Sequence, residues 1–147
     1  MSNLNRLKEL VMAMENPKES ILEIANNPAI ESKFLGIFES APDGIVLIGS
    51  DGKIVMSNVR MVELFGYARA ELIGKPIEIL LPAELTEVHQ SHRAKYFSSP
   101  KSRTMGSDLK ITGKKKDGSI IPLDVAISYV ETEEGILGMA FVRERKI

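Results

Sequence analysis

The chain has two histidines, His89 and His92, which are its side chains best suited to binding a transition metal, because a neutral imidazole is a common metal ligand. They lie in a stretch from about residue 82 to residue 97 that is predicted to be a helix, with a proline at each border. Helical spacing of i, i+4, i+7 and i+11 places four residues in one stripe: Leu85, His89, His92 and Tyr96. Both imidazoles share a face with apolar neighbours, and we expect that face to point toward the core or its edge.

A second arrangement in the same stretch is a weaker candidate for a metal site. Glu84, Glu87 and His89 could bind a divalent ion, but helical geometry points both carboxylates away from the histidine stripe. The sequence offers no nucleophile paired with a base, no paired acids with a base and no phosphate-binding glycine loop. We therefore do not expect the chain itself to be an enzyme.

Composition narrows the function further. The 147 residues include no cysteine, which excludes thiolate catalysis, cysteine-ligated zinc, iron–sulfur clusters and chromophores bonded to a thiol. With 19 Lys plus Arg against 20 Asp plus Glu, the net charge of -1 gives no general attraction to nucleic acid or to an anionic membrane. No apolar run reaches the roughly 18 to 20 residues that span a bilayer, and the N-terminus has no signal-peptide pattern. We expect a cytoplasmic protein with no nucleic-acid or membrane partner.

The elements around the histidine helix follow from changes in hydrophobic period. Residues 45–48 and 53–56 are short runs rich in β-branched and other apolar residues on either side of an Asp-Gly turn, which predicts a β-hairpin. Short helices should follow, broken at Gly66, Gly74 and Pro82. Further β segments are predicted at about 103–115, 119–130 and 135–145. This order predicts an α+β fold, a five-stranded antiparallel sheet with short helices on one face and an N-terminal helical extension.

Several sequence runs, in their order and spacing, carry a family resemblance. The runs are Phe38–Ile45, Asp51–Val55 with Asn58, Leu64–Tyr67, Glu71–Lys75, Lys116–Ser119 with Pro122, and Phe141–Arg143. Over about residues 34 to 145 the chain resembles a PAS domain. The resemblance implies a sensory fold in which the sheet forms one wall of a pocket and the short helices form the other. We assign residues 34–147 to this PAS sensory domain.

Within that family the histidine helix is most similar to haem-binding sensors such as the oxygen-sensor kinases of rhizobial nitrogen fixation. There a histidine on this helix holds the haem iron, and counting back from Lys95 and Tyr96 puts that position on His89. The resemblance implies that Lys95 and Arg103 pair with the haem propionates. It also implies a distal wall made of the strand residues Leu109, Ile111, Met139 and Phe141. The expected cofactor is haem b, with non-covalent FAD as an alternative.

Two departures from the family pattern concern the distal side. Oxygen-binding members use a strand arginine to donate a hydrogen bond to bound oxygen, whereas the matching Leu109 cannot donate. Other haem members use a methionine as sixth ligand where this chain has Ser107, and Met105 could substitute from two residues earlier. The resemblance then implies weak discrimination for oxygen, with carbon monoxide, nitric oxide or a redox change as the signal. A pocket that is empty or holds a small metabolite, in a module for dimerisation and protein interaction, is the alternative.

Residues 1–33 are predicted to form an N-terminal helical cap or dimerisation segment. Leu4, Leu7, Val11 and Met14 are at helical spacing, and Asn16-Pro17 begins a second short helix. Such short amphipathic helices are marginal in water without a partner surface. We therefore expect a homodimer through these helices, with packing on the chain's own core as the alternative. The abrupt end after the last strand suggests a piece of a longer protein, whose effector would be a histidine kinase or another output domain.

Overall fold

A computed structural model describes residues 28–101, 103–105 and 111–146, with only the backbone described for 103–105 and for Glu31. The helices predicted before residue 28 lie outside the described residues. The helices are α1 (Pro28–Ser40), α2 (Val59–Phe65), α3 (Arg69–Leu72) and α4 (Thr86–Ser98), with short 3-10 helices at Ile77–Leu80 and Ala83–Leu85. The strands are β1 (Gly44–Ile48), β2 (Ile54–Ser57), β3 (Arg103–Met105), β4 (Ile111–Lys114), β5 (Ile120–Thr132) and β6 (Gly135–Glu144).

One antiparallel sheet contains all the described strands, in the order β2-β1-β6-β5-β3, and β4 also pairs with β5. β3 pairs with residues 125–127 of β5 and β4 with residues 120–123, so both segments occupy the same edge of that strand. The sheet therefore has five strand positions, which confirms the predicted architecture. Within the β segment predicted at about 103–115, the described residues form β3 and β4, and residues 106–110 between them lie outside the described residues.

Asn58 joins the first hairpin to the helical layer. Its side-chain oxygen accepts hydrogen bonds from the Met61 and Ile45 amides, at 3.2 and 2.9 Å. Its amide group donates to the carbonyls of Phe38 and Asp43, at 2.9 and 3.0 Å. The side chain thus caps the start of α2 and also fixes the segment that leads into β1.

The core lies between the sheet and the helices α2 and α3. Met61, Phe65 and Leu72 are fully buried there and belong to the same apolar cluster as Val46 and Val142 from the sheet. The short helices lie on one face of the sheet, as predicted. No helix in the described part of the chain is long and apolar enough to cross a membrane.

Candidate functional site

A cavity of about 190 Å³ lies between the sheet, the short helices and α4. Its apolar walls come from the strands and from the helical layer. The apolar lining residues include Val46, Ile48, Met61, Phe65, Ile77, Leu80, Ile111, Leu123, Val125, Ile127, Ala140 and Val142. Such a pocket favours an apolar ligand body, because its burial removes apolar surface from water.

The polar part of the cavity wall comes mainly from α4. Lining residues recur there at helical spacing: His89, His92, Arg93, Tyr96 and Phe97. The histidine stripe predicted from the sequence therefore faces the cavity, except for Leu85, which ends the preceding 3-10 helix and is 40% exposed. None of the residues of α4 is buried. The helix is thus the solvent-exposed wall of the cavity.

Glu78 is the buried carboxylate beneath this helix. His89 Nδ1 lies 2.6 Å from Glu78 Oε2. Arg93 donates from Nε to the same oxygen at 3.1 Å and from Nη2 to Oε1 at 3.2 Å. The Glu78 side chain is 2% exposed, against 18% for Arg93 and 37% for His89. A buried carboxylate is stable only when paired and hydrogen-bonded, and these two side chains of α4 provide that pairing.

Arg93 also packs on the turn between β1 and β2. Its guanidinium lies so close to Gly52 that a Cβ at this position would overlap it. Gly52 has φ of 84°, a left-handed conformation that glycine adopts without strain. Glycine at position 52 therefore avoids backbone strain and leaves space for the Arg93 guanidinium, and Arg93 ties α4 both to this turn and to Glu78.

Sequence reasoning missed Glu78 and Arg93. The available signal was a lone acid within the apolar run from Ile77 to Leu81. An acid in such a run must be paired if the run is buried. Its partners are 11 and 15 residues further along the chain, a distance that no local pattern reveals.

Only some of the other predicted site residues line the cavity. Ile111 and Met139 contribute to the cavity wall, whereas Lys95 is exposed on α4 and is not part of that wall. Phe141 was expected to line the distal side, and this is corrected. Phe141 alternates along β6 with the buried Ala140 and Val142, and unlike Met139 it does not border the cavity. The side chains of Arg103 and Met105, and the whole of Leu109, lie outside the described residues.

The carboxylates near His89 do not form a metal centre. Across residues 28–101 and 111–146, no three histidine or carboxylate side chains come together in a way that could hold a metal ion. Glu84 and Glu87 are exposed, away from the cavity wall. His89 is thus bonded to one carboxylate, that of Glu78.

Comparison with known proteins identifies the family. Residues 32–145 match the PAS fold, so the chain belongs to the PAS family and is a sensor domain of signal transduction. It is 30% identical over 119 residues to the oxygen sensor protein DosP of Escherichia coli K12, covering 81% of this chain and 15% of DosP. It is 26% identical over 114 residues to the sensor protein FixL of Bradyrhizobium diazoefficiens, covering 78% of this chain and 23% of FixL. The chain therefore spans less than a quarter of the length of either relative. The resemblance predicted from the sequence is confirmed.

Solved structures share the same fold. The PAS domain of an HTR-like protein from Haloarcula marismortui superposes with a TM-score of 0.63 at 24% identity, over 80% of this chain and 93% of that one. A LOV protein of Rhodobacter sphaeroides has a TM-score of 0.63 at 9% identity, over 78% of this chain and 65% of that one. Identities this low establish the architecture and do not identify a ligand.

Proposed function

We propose that this PAS domain is a cytoplasmic sensor that binds haem b through His89 and reports a gas ligand or redox state to an effector. The observation that carries the proposal is the placement of His89, which lines an apolar cavity with Nδ1 already bonded to Glu78. The hydrogen bonds of the described residues leave Nε2 of His89 available to a ligand. The similarity to an oxygen sensor protein supports the same function.

The residues fit haem in their chemistry. An imidazole is a common axial ligand, and the iron that haem supplies binds diatomic gases and changes redox state. The apolar strand residues would exclude water from a bound haem, and His89 on α4 would supply the ligand to its iron. The cavity of about 190 Å³ is below the roughly 300–1,000 Å³ typical of ligand sites. Haem would therefore need a wider cavity than the one between the sheet and α4.

The residues proposed to surround the haem are those that match the family's haem-binding positions. Lys95 and Arg103 are proposed to pair with the propionates, because anionic groups at the edge of an apolar pocket need cations. Leu109 cannot donate a hydrogen bond to bound oxygen, so carbon monoxide and nitric oxide are the proposed gas ligands. Met105 is the proposed sixth ligand in the absence of a gas.

A visible absorption spectrum of the protein expressed with extra iron and a haem precursor tests the proposal. We expect a Soret band that shifts on reduction with dithionite. His89→Ala should abolish the band, while His92→Ala, which removes an imidazole one turn away on the same wall, should keep it. The assignment is wrong if His92→Ala loses the band and His89→Ala retains it. Absence of a band in wild-type protein supplied with hemin would reject haem altogether.

A second candidate function is the binding of a small metabolite in a cofactor-free interaction module. The volume of the cavity favours it, because an engineered apolar cavity of about 150 Å³ in another protein binds benzene. Native mass spectrometry of the purified protein would reveal such a ligand by its added mass. Non-covalent FAD is the remaining alternative and would show the two visible absorption bands of a flavin instead of a Soret band.

The proposed assembly is a homodimer formed through the N-terminal helices, with a histidine kinase or another output domain as effector. Support comes from α1, which exposes Phe34 and Ile37 at 39% and 71%. Apolar side chains of this size are often covered in an assembly. Light scattering on the whole chain should give the dimer mass, and Leu7→Lys with Val11→Lys should give the monomer. A wild-type monomer, or a dimer that survives both substitutions, would contradict this interface.

A further inference from the structure

Glu78 has a more specific role than filling the space under α4. It follows Pro76-Ile77 and precedes Ile79-Leu80, so its carboxylate enters the apolar layer from a short 3-10 helix. Its side chain is 2% exposed, the lowest value of any carboxylate in the described ion pairs. A carboxylate in such a place is costly unless it is paired and hydrogen-bonded, so the groups that contact it decide its role.

The hydrogen-bond donors around Glu78 determine which nitrogen of His89 carries the proton. Arg93 is a permanent donor that cannot accept a hydrogen bond, and it donates to both carboxylate oxygens. Both oxygens therefore act as acceptors. The third group on the carboxylate is His89 Nδ1, at 2.6 Å from Oε2, so it must donate as Nδ1–H. A neutral imidazole protonated at Nδ1 presents a lone pair at Nε2.

We propose that Glu78 is the positioning residue of the sensor site: it fixes the tautomer and the ring orientation of His89, and Arg93 holds Glu78 in place. His89 needs this support, because it is 37% exposed on a helix without buried residues. Metal-binding histidines are generally oriented in this way by a carboxylate or carbonyl on the other ring nitrogen. The consequence of this inference for haem rests on the proposed function, whereas the tautomer is a property of the protein alone.

The direct test is nitrogen NMR of the cofactor-free protein labelled with ¹⁵N-histidine, at a mildly alkaline pH. We expect wild-type His89 to be protonated at Nδ1 and unprotonated at Nε2. Glu78→Gln should convert it to a mixture of tautomers, because an amide can donate as well as accept. Glu87→Gln is the matched control, since Glu87 is exposed near the start of the same helix, and it should keep the wild-type pattern. A wild-type tautomer in Glu78→Gln would overturn the proposal.

Glu78→Gln leaves Arg93 without its carboxylate, and the variant could lose its fold for that reason alone. The double variant Glu78→Gln/Arg93→Gln removes both charges and is measured in the same way. A His89 that keeps the single Nδ1–H tautomer in this folded double variant would overturn the proposal. A mixture in the double variant would support it.

A hemin titration tests the consequence for the proposed haem site. Glu78→Gln should weaken hemin binding by about 10- to 100-fold, the usual effect of removing a partner of a metal ligand, and should shift the iron–histidine stretching band of the ferrous protein. Glu87→Gln should change neither. Unchanged hemin affinity and an unchanged band in Glu78→Gln would overturn the positioning role. If wild-type protein binds no hemin but its His89 tautomer still depends on Glu78, the proposed function fails and the positioning role stands.

Discussion

The ring of Phe97 on α4 lies directly against Gly138 on β6. A Cβ added to Gly138 would come 3.0 Å from Phe97 Cζ and 3.4 Å from Cε1. Both residues line the cavity, so this contact anchors the C-terminal half of α4 to the sheet. Arg93 provides the other anchor, through Glu78 and Gly52. The position of the histidines between these two anchors depends on both.

Gly138→Ala should loosen α4, because the new methyl group would press on the Phe97 ring. We expect a loss of about 1 kcal/mol in the free energy of unfolding, the lower end for overpacking, and faster hydrogen exchange in α4. The control is Gly36→Ala in α1, where an added Cβ meets nothing within 4 Å. That variant should gain stability, by up to about 1 kcal/mol, from helix propensity. Unchanged exchange in Gly138→Ala would show that α4 is not held at this contact.

Local sequence signals were sufficient to predict most elements of the fold. The Asp-Gly turn, the helix breaks at Gly66 and Gly74 and the C-terminal strands depend on residues close together in the chain, and the structure contains them. Period changes also located α4, although the structure begins that segment with a 3-10 turn at Ala83–Leu85. These elements were predictable because propensity, capping and hydrophobic period agree in them.

The inward face of β6 was harder to predict because both faces of the strand are apolar. One face carries Gly138, Ala140 and Val142, and the other carries larger side chains, including Phe141. The family resemblance placed Met139 and Phe141, both on the second face, at the pocket. The structure buries the smaller side chains of the first face, and of these two larger residues Met139 alone borders the cavity. The choice depends on volume across the sheet, which is a tertiary property.

Asn58→Ala should be among the most destabilising single substitutions. It removes four hydrogen bonds in a residue that is 0% exposed and leaves buried backbone groups without partners. The lost cap and the unsatisfied buried groups together should lower the free energy of unfolding by about 3 kcal/mol, measured by urea unfolding. Gln90→Ala, which removes an exposed amide from α4, should leave the midpoint close to wild type. Equal midpoints for the two variants would refute this role of Asn58.

Glu78 and Arg93 should be strongly coupled in stability. Replacing either one by methionine leaves the other charge poorly paired in a largely buried place, at a cost of about 3 kcal/mol. The double replacement should cost much less than the sum, because it buries no unpaired charge. A double-mutant cycle by chemical denaturation measures the difference. The same cycle on the exposed pair Arg60–Glu63 should show no measurable coupling, and additive effects at Glu78 and Arg93 would rule out the buried pairing.

Arg143 and Arg145 are two residues apart at the end of β6, yet their substitution should have different effects. Arg143 is 63% exposed and pairs with Asp43, whose hydrogen bonds raise the pKa of the guanidinium. Water and salt screen such a pair, so Arg143→Gln should leave the unfolding midpoint unchanged.

Arg145 is the less exposed of the two, at 23%, and it joins two strands of the cavity wall. Its Nη2 donates to the carbonyls of Ile111 on β4 and Leu123 on β5, at 3.3 and 2.9 Å, and its Nε donates to Asp124. Arg145→Gln should therefore lower the free energy of unfolding by about 1–2 kcal/mol. It should also speed hydrogen exchange in β4, whose Ile111 lines the cavity. Arg145 directly follows the last residue of β6, Glu144. Faster exchange in β4 would therefore show that the end of β6 and the cavity wall are coupled through Arg145. Slow exchange in β4 of Arg145→Gln, matching Arg143→Gln, would argue against that link.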